Sequence, residues 1–212
     1  MTRLFLIRHG ESVAQVEGFL SGHDTCRGLS DLGRRQVTAL RDRLVRTGEI
    51  QADVFLTSIL PRAIETAAII APAIGGLEAT QDCELCEIHA GEGEGLTWDE
   101  IQARFPRTTW DPDEAFAPGG ESWNVFADRV AAALRRYAEA HEGKTIVAAV
   151  HGGVVEHSFT TFMGLRSTHS ALGQLVNASI TEWLHAPNPF RGGEARWQLV
   201  RYNDAAHLAD LA

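Results

Sequence analysis

Three short apolar runs punctuate the chain: Arg3–Ile7 (RLFLI), Asp53–Thr57 (DVFLT) and Thr145–Val150 (TIVAAV). None alternates polar with apolar residues, which is the pattern of a parallel strand buried on both faces. Between them the apolar positions recur at helical spacing. Ser30 is placed to cap a helix whose Val37, Leu40 and Leu44 share one face, with Gly48 as its stop. Pro61 suits a first helical position, and Ala63–Ile74 is helical in pattern. Phe126, Val130, Leu134 and Tyr137 form a third stripe, closed by Gly143. Strands alternating with helices predict the α/β class, with a parallel sheet covered on both faces.

In such sheets ligands bind beyond the carboxyl ends of the strands. The residues after each run therefore carry the chemistry. Arg8-His9-Gly10 follow the first, Ser58 and then Arg62 the second, and His151-Gly152-Gly153 the third. Two arginines and two histidines converge on one sheet edge. Arginine offers a permanently charged fork of donors that matches phosphate oxygens. Neutral imidazole is a nucleophile near neutral pH. Gly10, Gly152 and Gly153 let backbone approach a ligand, and a helix after Gly153 would direct its positive end at an anion. A leaving alkoxide needs a proton, and Glu87 in LCEIHAGEGEGLTW is a candidate donor that spacing alone does not single out.

Composition narrows the field. The 212 residues suffice for one large α/β domain or two small ones, and 44% hydrophobic content supports a sizeable core. A net charge of −9 excludes a general nucleic-acid binder. No apolar run reaches membrane-spanning length and no basic-then-apolar leader precedes the first strand, so no membrane partner and a cytoplasmic location are expected. Three cysteines imply no disulfide framework.

The segments RHGES, SILPRAIETA, LCEI and VHGGV, in this order, resemble the histidine phosphatase superfamily, the phosphoglycerate-mutase-like enzymes. GLTWDEI, PGGES and RYNDAAHL extend the resemblance nearly end to end. It implies a single domain over 1–212, a three-layer α/β/α sandwich with a mostly parallel central sheet, and a helical lid insertion around 88–121. It further implies His9 as nucleophile, Arg8 and Arg62 as phosphate-binding arginines, Glu87 as proton donor and His151 as second histidine. A phosphohistidine intermediate, a small phosphorylated substrate and no metal or other cofactor follow from the same resemblance. Gln15, Ser21, His89 and Gly152 are the further substrate-binding candidates. Gln15 stands where the family usually has asparagine, Gly28 where many members have proline, and Glu156 where many have arginine. Oligomeric state stays open, a homodimer included.

The expected activity is a metal-independent phosphomonoesterase. The alternatives are a cofactor-dependent phosphoglycerate mutase, an isomerase of the same chemistry, and a non-catalytic phospho-ligand binder. The mutases resembled carry HGN and an Arg-Arg pair in a long insertion, whereas this chain has HGG and separated arginines, Arg104 and Arg107. Other motifs add little. Cys83-x-x-Cys86 with His89 invites a metal, but an extended segment would put Cys83 and Cys86 on opposite faces. Gly91-x-Gly93-x-Gly95 lacks the strand and helix of a dinucleotide site. Thr97-x-x-Glu100 reads as a capping box. Trp98, Trp110, Phe116 and Trp123 are expected to pack the insertion or wall the pocket. His23, His157, His169 and His207 read as structural or surface residues.

Overall fold

A computed structural model describes residues 1–165 and 174–211 of the chain; His169 lies outside them. Six strands form one sheet: β1 (Thr2–Arg8), β2 (Val54–Thr57), β3 (Thr80–Gln81), β4 (Thr145–Val150), β5 (Ile180–Pro187) and β6 (Ala195–Asp204). Their order is β3-β2-β4-β1-β5-β6. β1 runs parallel to β4 on one side and antiparallel to β5 on the other. The strand leading to His9 is thus central.

Because side chains alternate along a strand, each central strand feeds both faces. Leu4, Leu6, Ile146, Ala148 and Val150 face one core, with Phe126, Val130, Leu134, Val154 and Phe159. Phe5, Ile7, Val147 and Ala149 face the other, with Val37, Leu40, Leu44, Ala67 and Ile70. The first layer comes from α5 (Trp123–Ala140) and α6 (Gly152–Met163), the second from α2 (Asp31–Thr47) and α3 (Pro61–Ile70). Each large side chain so buried contributes about 1.5–3 kcal/mol. The three-layer α/β/α class expected from the sequence is the class observed.

The helix signals work as expected at several ends. The Ser30 hydroxyl accepts from Gly33 N–H, and Gly48 closes α2 in the left-handed region, φ 61°. Thr97 and Glu100 form a capping box on α4 (Trp98–Arg104). Other ends differ. The helix expected to run to Ile74 stops at Ile70 and continues as a 3-10 turn, Ala71–Ala73, because Pro72 supplies no N–H. The next ends at Ala140, before the left-handed Gly143. In the 88–121 insertion α4 is the one α-helix; Gly91–Gly93 is a 3-10 turn. A short helix, α1 (Val13–Glu17), follows the first strand. Among the described residues, no helix is long and apolar enough to cross a membrane.

Candidate active site

His9 sits just beyond β1 and is 5% exposed. Its N–H donates to the Val150 carbonyl and its carbonyl accepts from Ala178 N–H, so the backbone is tied to the end of β4 and to the segment just before β5. Nδ1 lies 2.6 Å from the Gly10 carbonyl and donates to it. The lone pair therefore resides on Nε2, which accepts from Arg62 Nε at 3.2 Å. Burial, then Arg62 and Arg8, hold the His9 pKa well below its ordinary value. The ring is neutral near neutral pH and fixed in one orientation.

Arg62 enters from the first turn of α3, and Nη1 donates to the Ser21 carbonyl and hydroxyl and to Cys26 Sγ, at 3.2, 3.3 and 3.3 Å. His151 caps α6, fully buried, with its ring centroid 5.1 Å from that of His9. Its Nε2 is 2.7 Å from Ser58 Oγ. Burial, Arg62, His9 and Arg8 keep it neutral as well. Arg8 donates through Nη1 to the Leu175 carbonyl. Two buried polar atoms here, Arg8 Nε and His151 Nδ1, have no partner in the protein. Unpaired buried polar atoms cost free energy unless a ligand meets them. They lie in the same cluster as the Arg62 guanidinium.

The Glu87 carboxylate spans the entry to α6, accepting from Gly153 N–H and Ile88 N–H, each at 3.1 Å. A Cβ on Gly153 would lie 2.3 Å from Glu87 Oε1 and 2.5 Å from the Phe126 ring, so any larger residue there would displace the carboxylate or the ring. At Gly152 a Cβ would sit 3.6 Å from Arg8 Nε. Arg129 braces the segment carrying Glu87: its guanidinium donates to the carbonyls of Glu84, Cys86 and Glu87 and pairs with Glu121 at 2.7 Å. Sequence reasoning did not pick out Arg129 or Asn177. Glu121, inside PGGES, is with Glu11 and Glu92 a sequence alternative to Glu87; here it pairs with Arg129.

The profile of the histidine phosphatase superfamily, branch 1, matches residues 4–205. The chain belongs to the histidine phosphatase superfamily. Metal-independent phosphoserine phosphatase of Arabidopsis thaliana is 30% identical over 217 residues, covering 100% of this chain and 85% of that one. Glucosyl-3-phosphoglycerate phosphatase of Mycolicibacterium vanbaalenii is 30% identical over 227 residues, with 98% and 97% covered. The solved Entamoeba histolytica phosphoserine phosphatase, in complex with 3-phosphoglyceric acid, superposes with a TM-score of 0.77 at 28% identity, covering 98% of this chain and 100% of that one. This histidine phosphatase is an enzyme of the phosphoric monoester hydrolase type.

The remaining candidates lie around the rim of the histidine phosphatase site. Gln15 is exposed, and its side chain is engaged within the protein. Its carbonyl accepts from Ser12 N–H, completing a capping box on α1, and its amide donates to Asn177 Oδ1 at 3.3 Å. Asn177 in turn donates to the His9 carbonyl at 3.1 Å. Ser21 touches Arg62, as above. His89 lies beside a cavity shared with Gly22, His23, Glu87 and Glu94. The cysteine segment differs from expectation: Cys83–Leu85 is a 3-10 turn, not extended, because the Asp82 carboxylate caps it at Glu84 N–H. Cys86 is buried against Ser58 Oγ, 3.2 Å away. Burial and Cys86 push the Cys83 thiol up to about 11. Trp98, Trp110, Phe116 and Trp123, with Leu20 and Ile88, line an apolar cavity of about 420 Å³. His157 packs between Trp123 and Phe126.

Proposed function

We propose that this enzyme is a metal-independent phosphomonoesterase that passes the phosphoryl group through His9. Arg8 Nε, Arg62 and His151 Nδ1 hold the three phosphoryl oxygens; Ser58 gives its hydroxyl proton to His151 Nε2, leaving Nδ1 as a donor. His9 Nε2 attacks phosphorus as Arg62 Nε turns from it to an oxygen. The P–O bond to the leaving group breaks, and Glu87 supplies that oxygen with a proton. Water then attacks the phosphohistidine, returns a proton to Glu87, and frees His9 and inorganic phosphate. The charges that develop on the oxygens meet preorganised cations. Gln15 acts through Asn177 on the His9 carbonyl, as a strut behind the nucleophile.

The observation that carries this reading is the His9 ring, with Nδ1 locked to Gly10 and an unprotonated Nε2 accepting from Arg62. The non-phosphate part of the substrate is assigned to the aromatic cavity, with 88–121 as its cover. A phosphatase is favoured over a mutase because relatives 30% identical to this chain are named phosphatases and because Arg104 pairs with Glu92, while Arg107 stands apart from it as a lining residue of the aromatic cavity. The test is acid-quenched enzyme after mixing with labelled substrate. An acid-labile, base-stable phosphate is expected in the wild type and not in His9→Ala. Label retained in His9→Ala overturns the mechanism.

A further inference from the structure

Beside the Glu87 carboxylate, three ligand atoms from two segments meet. His23 Nε2, Cys83 Sγ and His89 Nε2 all lie within 4.8 Å of one another. The sulfur is 3.3 Å from His23 Nε2 and 3.8 Å from His89 Nε2. Tetrahedral Zn²⁺, with bonds of about 2.3 Å to sulfur and about 2.0 Å to nitrogen, sets such atoms about 3.5 Å apart. The two measured separations bracket that edge. We propose that His23, Cys83 and His89 form a Zn²⁺ site at the rim of the catalytic pocket, and that an ion bound there inhibits turnover.

The surroundings are built for the geometry. The His23 loop is pinned by Glu94, whose Oε1 accepts from the N–H groups of Gly22, Asp24 and Thr25, at 3.1, 2.7 and 2.8 Å. His89 presents Nε2 to the sulfur while its Nδ1 faces Glu121 Oε2 at 3.8 Å. At 3.8 Å the carboxylate is not hydrogen-bonded to the ring, but its negative charge stands behind the imidazole and favours a cation on the other side. That carboxylate also accepts from His89 N–H and is held by Arg129. The ligand set is therefore not the Cys-x-x-Cys pair; it is Cys83 with two histidines from either side of the cavity. One thiolate and two imidazoles suit Zn²⁺ and leave one coordination position open. Binding replaces the Cys83 S–H bond by a Zn–S bond and releases one proton to solvent.

The inhibitory half rests on the phosphatase reading. His89 is two residues beyond Glu87, and His23 is two beyond Ser21, which holds Arg62. An ion joining the two fastens the proton donor's segment to the arginine's loop across the mouth they share. Neither substrate entry nor Glu87 movement survives that tie unchanged.

Co²⁺ titration of the metal-stripped full chain tests the site without turnover. A thiolate-to-Co²⁺ charge-transfer band is expected, displaced by Zn²⁺. It should vanish in Cys83→Ser, persist in Cys26→Ser, and need more than about tenfold higher Co²⁺ in His23→Ala or His89→Ala. No band in the wild type, or a band surviving Cys83→Ser, overturns the site. Zn²⁺ should inhibit the wild-type phosphatase reversibly and Cys83→Ser at least about tenfold more weakly. Equal inhibition of both overturns the regulatory half. A chain that binds Co²⁺ as expected but turns over no phosphate ester refutes the phosphatase reading and the inhibition resting on it, and leaves the metal site supported.

Discussion

Glu87 Oε2 accepts the backbone N–H of Gly153 at 3.1 Å, in the first turn of α6. The proposed proton donor is therefore held by a helix end that also begins with His151. Gly153→Ala would drive a methyl into that carboxylate and into Phe126, 2.5 Å from the new Cβ. Catalytic efficiency on an alkyl phosphate should fall about 10²-fold or more, on the scale of losing a general acid. The double variant Gly153→Ala, Glu87→Gln should be no worse than the poorer single variant. Additive losses would show that Gly153 acts elsewhere.

Glu87→Gln separates leaving groups. The proton matters in proportion to the basicity of the departing oxygen, so an alkyl phosphate should lose roughly 10²–10⁴-fold. A nitrophenyl phosphate, whose leaving group needs no proton, should lose much less. Equal losses on both substrates would give Glu87 a purely structural part.

The acid limb of the pH profile should lie below the ordinary histidine range. Burial and two arginines lower the His9 pKa, so the reactive neutral ring persists as pH falls. After allowance for the substrate's own second ionisation near pH ~6, catalytic efficiency should stay level from about pH 8 down past the usual imidazole value of about 6.5. A half-loss at the ordinary value would mean that His9 is solvated in the working enzyme. Arg62→Ala should move the limb upward, because it removes a cation that opposes protonation.

Stability should carry its own acid dependence through Asp204. Arg43 holds this carboxylate below the usual range through a bidentate contact. A depressed folded-state pKa stabilises the fold above the unfolded value and loses that contribution as pH falls. Asp204→Asn should cost about 1 kcal/mol near neutral pH, the scale of one member of a surface network. The cost should shrink progressively below about pH 4. Urea midpoints measured across that range check this; a pH-independent difference would show that the Asp204 charge is not the source of the stabilisation.

The strand ends carrying Arg8, His9 and His151 were legible because parallel strands are continuous apolar runs and their ends are where ligands bind. β5 and β6 were not. β5 contains Glu182, only 2% exposed, held by Arg3 and Arg201. A carboxylate buried by partners at positions 3 and 201 defeats any local reading of polarity. Gln15 differs. Ser12-x-x-Gln15 is a capping box legible in the sequence, whereas its contact with Asn177 joins positions far apart in the chain. Arg129 was invisible for a third reason: its worth lies in backbone carbonyls forty residues away, which leave no mark in side-chain patterns.

The position of β1 between β4 and β5 has a consequence for synthesis. The strand leading to His9 is made first, yet both neighbours that complete its hydrogen bonding are made last, after residues 145 and 180. Asn177, which steadies the His9 carbonyl, also belongs to that late stretch. Such long-range pairing costs loop-closure entropy before any contact repays it. A chain emerging from the ribosome therefore holds the proposed nucleophile in an unassembled site until nearly the whole sequence is available, and partial products carry histidine and arginine without a pocket.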